Sequence, residues 1–226
     1  MPPKICVSIA PEDINSVLEQ SFRAFELGAD YVEIRFDFFE PEQLQSAIDA
    51  ANVIKNKAVF TLRSVDQGGK FTGNEPDRIK WLYKLAEQRP MLLDVELTTI
   101  NKNDELADFL EGQKTPLLVS WHDFEKTPPS ERLADVLSQM RIYSSYVKLV
   151  TTANSVEDSF RLLDLYETAI GLHPIFFAMG EAGVLSRVMC TVIGNAPFTY
   201  ASLEKKVAPG QLTVKQMRKL YDRMKV

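Results

Sequence analysis

Lys148 and His122 are the two side chains of this sequence whose types and spacing best suggest covalent chemistry. Lys148 lies in the run Tyr-Val-Lys-Leu-Val, between residues that belong in a hydrophobic core. Apolar surroundings and nearby arginines destabilise a charged lysine, and a neutral amine condenses with a ketone or aldehyde to form an imine. A lysine in the middle of a strand can instead reach water or pair with a carboxylate, so this residue alone leaves both interpretations open.

His122 ends the apolar run that precedes the one containing Lys148. If the two runs are neighbouring parallel strands, about 4.8 Å apart, the imidazole can reach a substrate carbon next to an imine on Lys148. An unperturbed histidine pKa of about 6.5 suits a group that takes and then returns a proton. The pair predicts proton abstraction beside an imine, followed by elimination or by carbon–carbon cleavage. We interpret His173, the other histidine, as structural.

The elements that must position these two residues form a regular alternation. Eight short β-rich runs are separated by segments with helical periodicity, without a long linker or an internal repeat. Eight β/α units in 226 residues predict an α/β fold, a single (β/α)8 barrel over residues 1–226, because a doubly wound sheet usually has fewer strands. The predicted strands are residues 5–10, 31–37, 58–63, 91–97, 116–122, 146–150, 174–179 and 198–202.

The predicted strands are polar on one face and apolar on the other. In the second strand Glu33, Arg35 and Asp37 share a face, and the residues between them are apolar. Polar faces that turn inward would meet on the barrel axis near the carboxyl ends of the strands, where the active sites of such barrels lie. The predicted inward polar residues are Ser8, Glu33, Arg35, Asp37, Thr61, Arg63, Asp94, Glu96, Ser120, His122 and Lys148.

The charges of this predicted pocket indicate its ligand. Burying ionic groups is expensive unless they are paired or bind a ligand. Carboxylates compensate the positive groups only in part, and the excess of guanidinium groups predicts a small anion such as a carboxylate. An internal network of ion pairs that only fixes the strands is the alternative. The positive groups expected here are Arg35, Arg63, Lys148 and Arg187.

Composition excludes several other classes of protein. A net charge of −5 argues against nucleic-acid binding, and no apolar run approaches the ~18 residues of a membrane span. The two cysteines and two histidines are too far apart for a disulfide framework or a metal site, and no phosphate-binding glycine motif predicts a nucleotide cofactor. The amino-terminal residues do not resemble a signal peptide. We expect a cytoplasmic protein that acts on a small molecule, with a homodimer as the commonest assembly.

Seven segments, in this order and spacing, resemble the type I 3-dehydroquinate dehydratases of the shikimate pathway. The resemblance extends from about residue 4 to residue 214, nearly the whole chain. The segments are EIRFD (33–37), TLRS with the paired glycines after it (61–69), DVEL (94–97), SWHD (120–123), VKLV (147–150), MGEAGVLSR (179–187) and APGQ (208–211).

The resemblance implies a mechanism and a set of substrate contacts. Lys148 would form an imine with the C3 ketone of 3-dehydroquinate, and His122 would take the C2 proton and protonate the departing C1 hydroxyl. This syn elimination of water needs neither a metal nor an organic cofactor. The implied substrate-binding residues are Arg187 and Gln211 for the ring carboxylate, Glu33, Arg35 and Arg63 for the ring hydroxyls, and Ser8 at a matching position.

Three positions depart from the family pattern, and two other functions remain open. Gln67 stands where the family often has glutamate, Val207 where it commonly has serine, and Trp121 where a smaller polar or Tyr-like residue is usual. The alternatives are a class I Schiff-base aldolase-like lyase on the same barrel and a barrel that binds a carboxylate without catalysis.

Overall fold

The chain folds into a parallel eight-stranded barrel with helices around it. The computed structural model describes residues 2–204 and 210–226. The strands are β1 Ile5–Ile9, β2 Tyr31–Arg35, β3 Ala58–Thr61, β4 Leu92–Glu96, β5 Leu117–His122, β6 Tyr146–Thr152, β7 His173–Met179 and β8 Thr199–Ser202. Parallel ladders join them in the order β7-β6-β5-β4-β3-β2-β1-β8. In the described part of the chain β7 and β8 share no ladder, so the barrel is nearly closed.

Every predicted strand is present, and the predicted (β/α)8 barrel is confirmed. Four strands end earlier than predicted, β1 and β4 by one residue and β2 and β3 by two. β2 stops at Arg35 because Phe36–Phe38 form a turn of 3-10 helix, and β3 stops at Thr61. The side chains of Asp37 and Arg63 therefore project from just beyond the strand ends.

Nine α-helices occupy the connections between the described strands and the end of the chain. Ser155 and Asp158 form a capping box at the start of the seventh helix. The connection after β4 contains two short helices, and the one after β7 contains a single helix of six residues. The helices are α1 Ile14–Glu26, α2 Leu44–Ala51, α3 Glu75–Glu87, α4 Leu97–Ile100, α5 Asp104–Gln113, α6 Ser130–Met140, α7 Val156–Asp164, α8 Val184–Met189 and α9 Val214–Met224.

The interior of the barrel has an apolar level and a polar level. The apolar level lies toward the amino-terminal ends of the strands and includes Cys6, Val59, Leu92, Leu118 and Ile175. Residues two apart in a strand face the same side, so the next inward residues along these strands form the polar level. Its members are Ser8, Glu33, Thr61, Asp94, Ser120 and Lys148, and the side chains between them pack outward into the helix layer.

The opposite end of the barrel carries His173. This histidine begins β7, as predicted, and its ring stacks on Tyr146 with centroids 4.3 Å apart. Within the described residues, no helix is long and apolar enough to cross a membrane. No cluster of histidine, cysteine, aspartate or glutamate that could hold a metal ion occurs in residues 2–204 or 210–226.

Candidate active site

Lys148 points into the barrel, and its amine lies between two carboxylates. Its Nζ is 2.9 Å from Asp94 Oδ2 and 3.3 Å from Glu33 Oε1, and only 5% of the residue is exposed. The ring of Tyr200 lies 4.6 Å from the same nitrogen. The sequence analysis expected arginines beside this amine. The polar groups in contact with it are carboxylates instead, so Lys148 belongs to a buried ion-pair network.

Glu33 joins three strands at the polar level. Besides Lys148, its carboxylate accepts hydrogen bonds from Ser8 Oγ at 2.7 Å and from Thr61 Oγ1 at 3.1 Å. Burial alone would raise the pKa of Glu33, but the charges of Lys148 and Arg35 outweigh burial and lower it below its ordinary value. Glu33 is therefore an anion near neutral pH, and Ser8 belongs to the same network.

Asp94 connects Lys148 to Arg63. Its Oδ2 accepts from Arg63 Nη2 at 2.7 Å, and its Oδ1 accepts from Ser120 Oγ at 2.6 Å. Ser120 in turn accepts from Arg63 Nη1 at 2.6 Å. Burial opposes charge on Asp94, but the cations Arg63 and Lys148 hold the pKa of this carboxyl far below its ordinary range. Asp94 is a counter-ion that cannot act as a base in neutral solution.

Arg35 and Asp37 form a bidentate pair at the mouth of the barrel. Arg35 Nε and Nη2 each lie 2.7 Å from a different oxygen of Asp37. The same carboxylate accepts from the backbone N–H of Arg63 at 3.3 Å and of Lys70 at 3.0 Å. Asp37 therefore fixes both ends of the loop that follows β3.

His122 lies one level above Lys148 on the neighbouring strand. Lys148 pairs with Ser120 in the β5–β6 ladder, and His122 is two residues further along β5. Its backbone N–H donates to Gln67 Oε1 at 3.3 Å, and its ring stacks on Phe124 with centroids 5.7 Å apart. Phe124 is half exposed at the rim, and its stacking orients the histidine ring.

The imidazole of His122 is held in its neutral form. Burial and the charges of Arg63 and Lys148 lower its pKa well below the ordinary value. Its Nδ1 is buried and has no hydrogen-bond partner among the described residues. A neutral imidazole without a partner is free to accept a proton.

We therefore expect the His122 ring to titrate well below pH 6.5, the ordinary value for histidine. The physical reason is that protonation would place a third cation beside Arg63 and Lys148 in a buried site. Proton NMR of the imidazole C–H signals in the unliganded enzyme measures this pKa, and a His122→Asn variant identifies the signal. A midpoint at or above pH 6.5 would contradict the geometry.

Arg187 differs from the other positive groups because it has no carboxylate partner in the part of the chain that the structure describes. Its guanidinium stacks on Phe177 of β7 at 4.2 Å and donates from Nη1 to the carbonyl of Tyr200 in β8 at 3.5 Å, so it bridges the two unpaired strands. Its Nε has no partner within the described residues. Burial lowers the pKa of Arg187 to about 10. A buried arginine without a counter-ion is a binding site for an anion.

Gln211 is buried just after β8. The preceding Gly210 has a φ of +71°, and an added Cβ there would lie 2.0 Å from the carbonyl oxygen of Gly180, so this position requires glycine. The close approach places Gln211 beside the loop that follows β7. Val207 and the first two residues of the APGQ segment lie outside the described residues.

Most of the predicted site residues therefore form one assembly at the carboxyl ends of the strands. Ser8 and Lys148 contact Glu33 directly, Arg63 joins them through Asp94, and Arg35 joins them through Asp37. The sequence analysis missed the buried Arg78 and the ring of Tyr200. The signal for Arg78 was its place on the apolar stripe of α3, four residues before the buried Leu82.

Both the sequence and the structure of this chain are similar to those of known proteins. The family described as type I 3-dehydroquinase matches residues 5–226. The 3-dehydroquinate dehydratase of Desulfotalea psychrophila is 34% identical over 225 residues, which is 97% of each chain. The crystal structure of 3-dehydroquinate dehydratase from Geobacillus kaustophilus is 26% identical with a TM-score of 0.88, covering 99% of this chain and 91% of that one. The enzyme from Aquifex aeolicus is 29% identical with a TM-score of 0.80, covering 97% of this chain and 98% of that one.

Proposed function

This chain belongs to the type I 3-dehydroquinase family, and on that premise we propose that it dehydrates 3-dehydroquinate to 3-dehydroshikimate through an imine on Lys148. The reaction is that of a carbon–oxygen lyase in the shikimate pathway. The observation that supports it most directly is the buried Lys148 amine inside the barrel. One level above it on the neighbouring strand lies His122, whose pKa is lowered and whose Nδ1 has no hydrogen-bond partner among the described residues.

Binding begins at the substrate carboxylate. Arg187 is the buried cation that has no carboxylate partner in the described residues, and Gln211 is buried after the next strand. A carboxylate on Arg187 would supply the missing counter-ion through charge-assisted hydrogen bonds. Glu33, Arg35, Arg63 and Ser8 lie around Lys148 and supply donors and acceptors for the ring hydroxyls.

The covalent step needs the neutral amine of Lys148. Its proton must leave the ion-pair network, and the low pKa values of Glu33 and Asp94 make both carboxylates poor proton acceptors. His122 is the remaining acceptor. The amine then adds to the C3 carbonyl, and His122 returns the proton to the resulting C3 hydroxyl, which leaves as water. The product is a protonated imine whose positive charge stays beside Asp94 and Glu33, and His122 is again neutral.

Elimination follows on the imine. His122 takes the C2 proton, and the electron pair of that C–H bond moves toward the imine, which acts as the electron sink. These electrons then expel the C1 hydroxyl, which receives the proton from His122 and departs as water. Hydrolysis of the imine releases the product and restores the Lys148 amine. The protein thus needs no cofactor for this chemistry.

Borohydride trapping tests the proposal. We expect reduction in the presence of 3-dehydroquinate to leave a stable adduct on the peptide that contains Lys148, identified by mass spectrometry. Ultraviolet absorbance of 3-dehydroshikimate reports turnover in the same sample. An aldolase-like lyase would form adducts with sugar phosphates instead, and a non-catalytic barrel would bind a carboxylate without adduct or turnover. Absence of both adduct and turnover with 3-dehydroquinate would overturn the proposal.

Replacement of Arg187 by methionine should mainly weaken substrate binding. The variant keeps an apolar side chain against Phe177 but removes the charge that has no counter-ion. Loss of a charge-assisted bond of about 2 kcal/mol predicts a rise in KM of about 30-fold. Steady-state kinetics measure the effect, and Arg187→Lys, which retains the charge, should recover part of it. An unchanged KM would remove Arg187 from carboxylate binding.

We expect the protein to work as a homodimer in the cytoplasm. Two-fold assemblies are the commonest among soluble oligomers, and exposed apolar side chains such as Val156, Phe160 and Ile193 are available for a second copy to cover. Sedimentation at micromolar concentration tests the assembly, and a monomer there would contradict it. A fluorescent fusion tests the compartment.

A further inference from the structure

Arg78 is a fully buried arginine on the outside of the barrel. It belongs to α3, and only 1% of the residue is exposed. Its Nε and Nη2 each lie 2.7 Å from an oxygen of Glu75, one turn earlier. Nη2 also donates to Thr99 Oγ1 at 2.6 Å, and Nη1 donates to the Leu62 carbonyl at 2.9 Å. So many bonds fix the guanidinium in one position.

The inner partner of Arg78 is Glu96, at the end of β4. Arg78 Nη1 lies 3.1 Å from Glu96 Oε2. The other oxygen of this buried carboxylate is 3.3 Å from Arg63 Nη1 and accepts from the backbone N–H of Ser64 at 2.9 Å. Glu96 therefore holds both the side chain of Arg63 and the backbone of Ser64 in the loop after β3.

These contacts continue a row of alternating charges from the protein surface to the Lys148 amine. Glu75, at the outer end, has a half-exposed side chain, and every later member has at least one contact of 3.3 Å or less to the next. Every member of the row is a charged residue. Its members, in order, are Glu75, Arg78, Glu96, Arg63, Asp94, Lys148 and Glu33.

We propose that Arg78 is a positioning residue for substrate binding, which acts from outside the barrel by fixing Arg63 through Glu96. The proposal rests on the proposed function, because that function assigns Arg63 to the substrate hydroxyls. Within residues 2–204 and 210–226, the one inward-facing group that Arg78 contacts is Glu96. Its hydrogen bond to the carbonyl of Leu62 also holds the backbone immediately before Arg63.

The physical reason is competition between two carboxylates for one guanidinium. Arg63 lies between Asp94 and Glu96. Without Arg78, the buried Glu96 would keep Arg63 as its one cationic partner among the described residues. A buried carboxylate whose negative charge is poorly balanced attracts the nearest cation strongly. Arg63 would then shift toward Glu96, away from Asp94 and from the substrate.

The test compares Arg78→Met with Arg161→Met as a matched control. Arg161 pairs with Asp158 three residues earlier on α7 at 2.6 Å and donates to the carbonyl of Thr127 at 3.2 Å, but it contacts no inward carboxylate. We expect Arg78→Met to raise KM about tenfold, because small misplacement of binding groups has effects of this size or larger. Its kcat should stay within about threefold, and Arg161→Met should change neither constant.

A double-mutant cycle separates positioning from a general loss of stability. If Arg78 acts through Arg63, Arg78→Met should raise KM less than about twofold in an Arg63→Met background, since coupled residues are not additive. If Arg78→Met acted by general destabilisation instead, its effect on KM would add to that of Arg63→Met. Equal KM increases in the two backgrounds would overturn the proposal, as would a wild-type KM for a folded Arg78→Met.

A second variant covers the case in which Arg78→Met does not fold. Arg78→Gln removes the charge that compensates Glu96 but keeps an amide donor for the buried acceptors around position 78. We expect this variant to fold and to show a similar rise in KM, because the uncompensated Glu96 again draws Arg63 away from Asp94, and a wild-type KM in it would overturn the proposal. An inactive wild-type protein that forms no adduct would refute the proposed function instead, so the two failures are distinguishable.

Discussion

Lys148→Ala should lower turnover to the background level while the barrel remains folded. No imine can form without the amine, and the two carboxylates that contact it have pKa values below their ordinary range and are not nucleophiles for this chemistry. We expect a loss of at least about 10⁴-fold in kcat, and no borohydride adduct at any substrate concentration. Ultraviolet assay of 3-dehydroshikimate measures the first effect and intact mass the second.

The fold should survive this change because both carboxylates keep other partners. Asp94 retains Arg63 and Ser120, and Glu33 retains Ser8 and Thr61. Removing one member of a buried ion pair still costs about 3 kcal/mol in the free energy of unfolding. Circular dichroism and a denaturant titration separate this cost from the loss of activity.

Lys4→Ala is the matched control for Lys148→Ala. Lys4 also contacts a tyrosine, with its Nζ 3.0 Å from Tyr31 Oη and 5.4 Å from the ring centroid, but it lies at the amino-terminal end of the barrel. It should keep wild-type kcat and a normal adduct on Lys148. Turnover above background in Lys148→Ala would remove the imine from the mechanism.

The inward direction of Lys148 was predictable from the chain itself. The strand residues Val147 and Leu149 are apolar and pack outward, so period-two alternation turns the lysine inward. The same rule places Glu33, Asp94 and Ser120. The alternation of side chains could not identify the partners of Lys148. Asp94 and Glu33 come from strands that do not neighbour β6, and their approach across the interior depends on the stagger of the whole barrel.

Arg78 and Arg187 show a second limit of the sequence. A charged residue in a helical pattern normally predicts a solvent-exposed face, and the burial of Arg78 depends on Glu96 at the end of a strand distant in the chain. Arg187 was expected near a strand end. It lies in the short helix α8, and what makes it a candidate anion site is the missing counter-ion. Pairing of this kind is a property of the assembled structure.

His122→Ala should separate imine formation from elimination. General acid–base catalysis of this kind contributes about 10²–10⁴-fold, and the two carboxylates that contact Lys148 have lowered pKa values and are poor bases. We expect kcat to fall about 10³-fold, with slower formation of the adduct but a clear yield of it at long incubation. The difference from Lys148→Ala is therefore qualitative: one variant gives an adduct without turnover, the other gives neither.

The control for His122→Ala is a substitution of the other histidine, His173. This residue is exposed at the opposite end of the barrel, where its ring stacks on Tyr146. His173→Ala should retain wild-type kcat and a wild-type yield of adduct. An intact kcat in His122→Ala would show that a different group moves the C2 proton. Complete loss of the adduct in His122→Ala would show that the imidazole is needed before the carbon–nitrogen bond forms, which would place its essential proton transfer at the amine and not at C2.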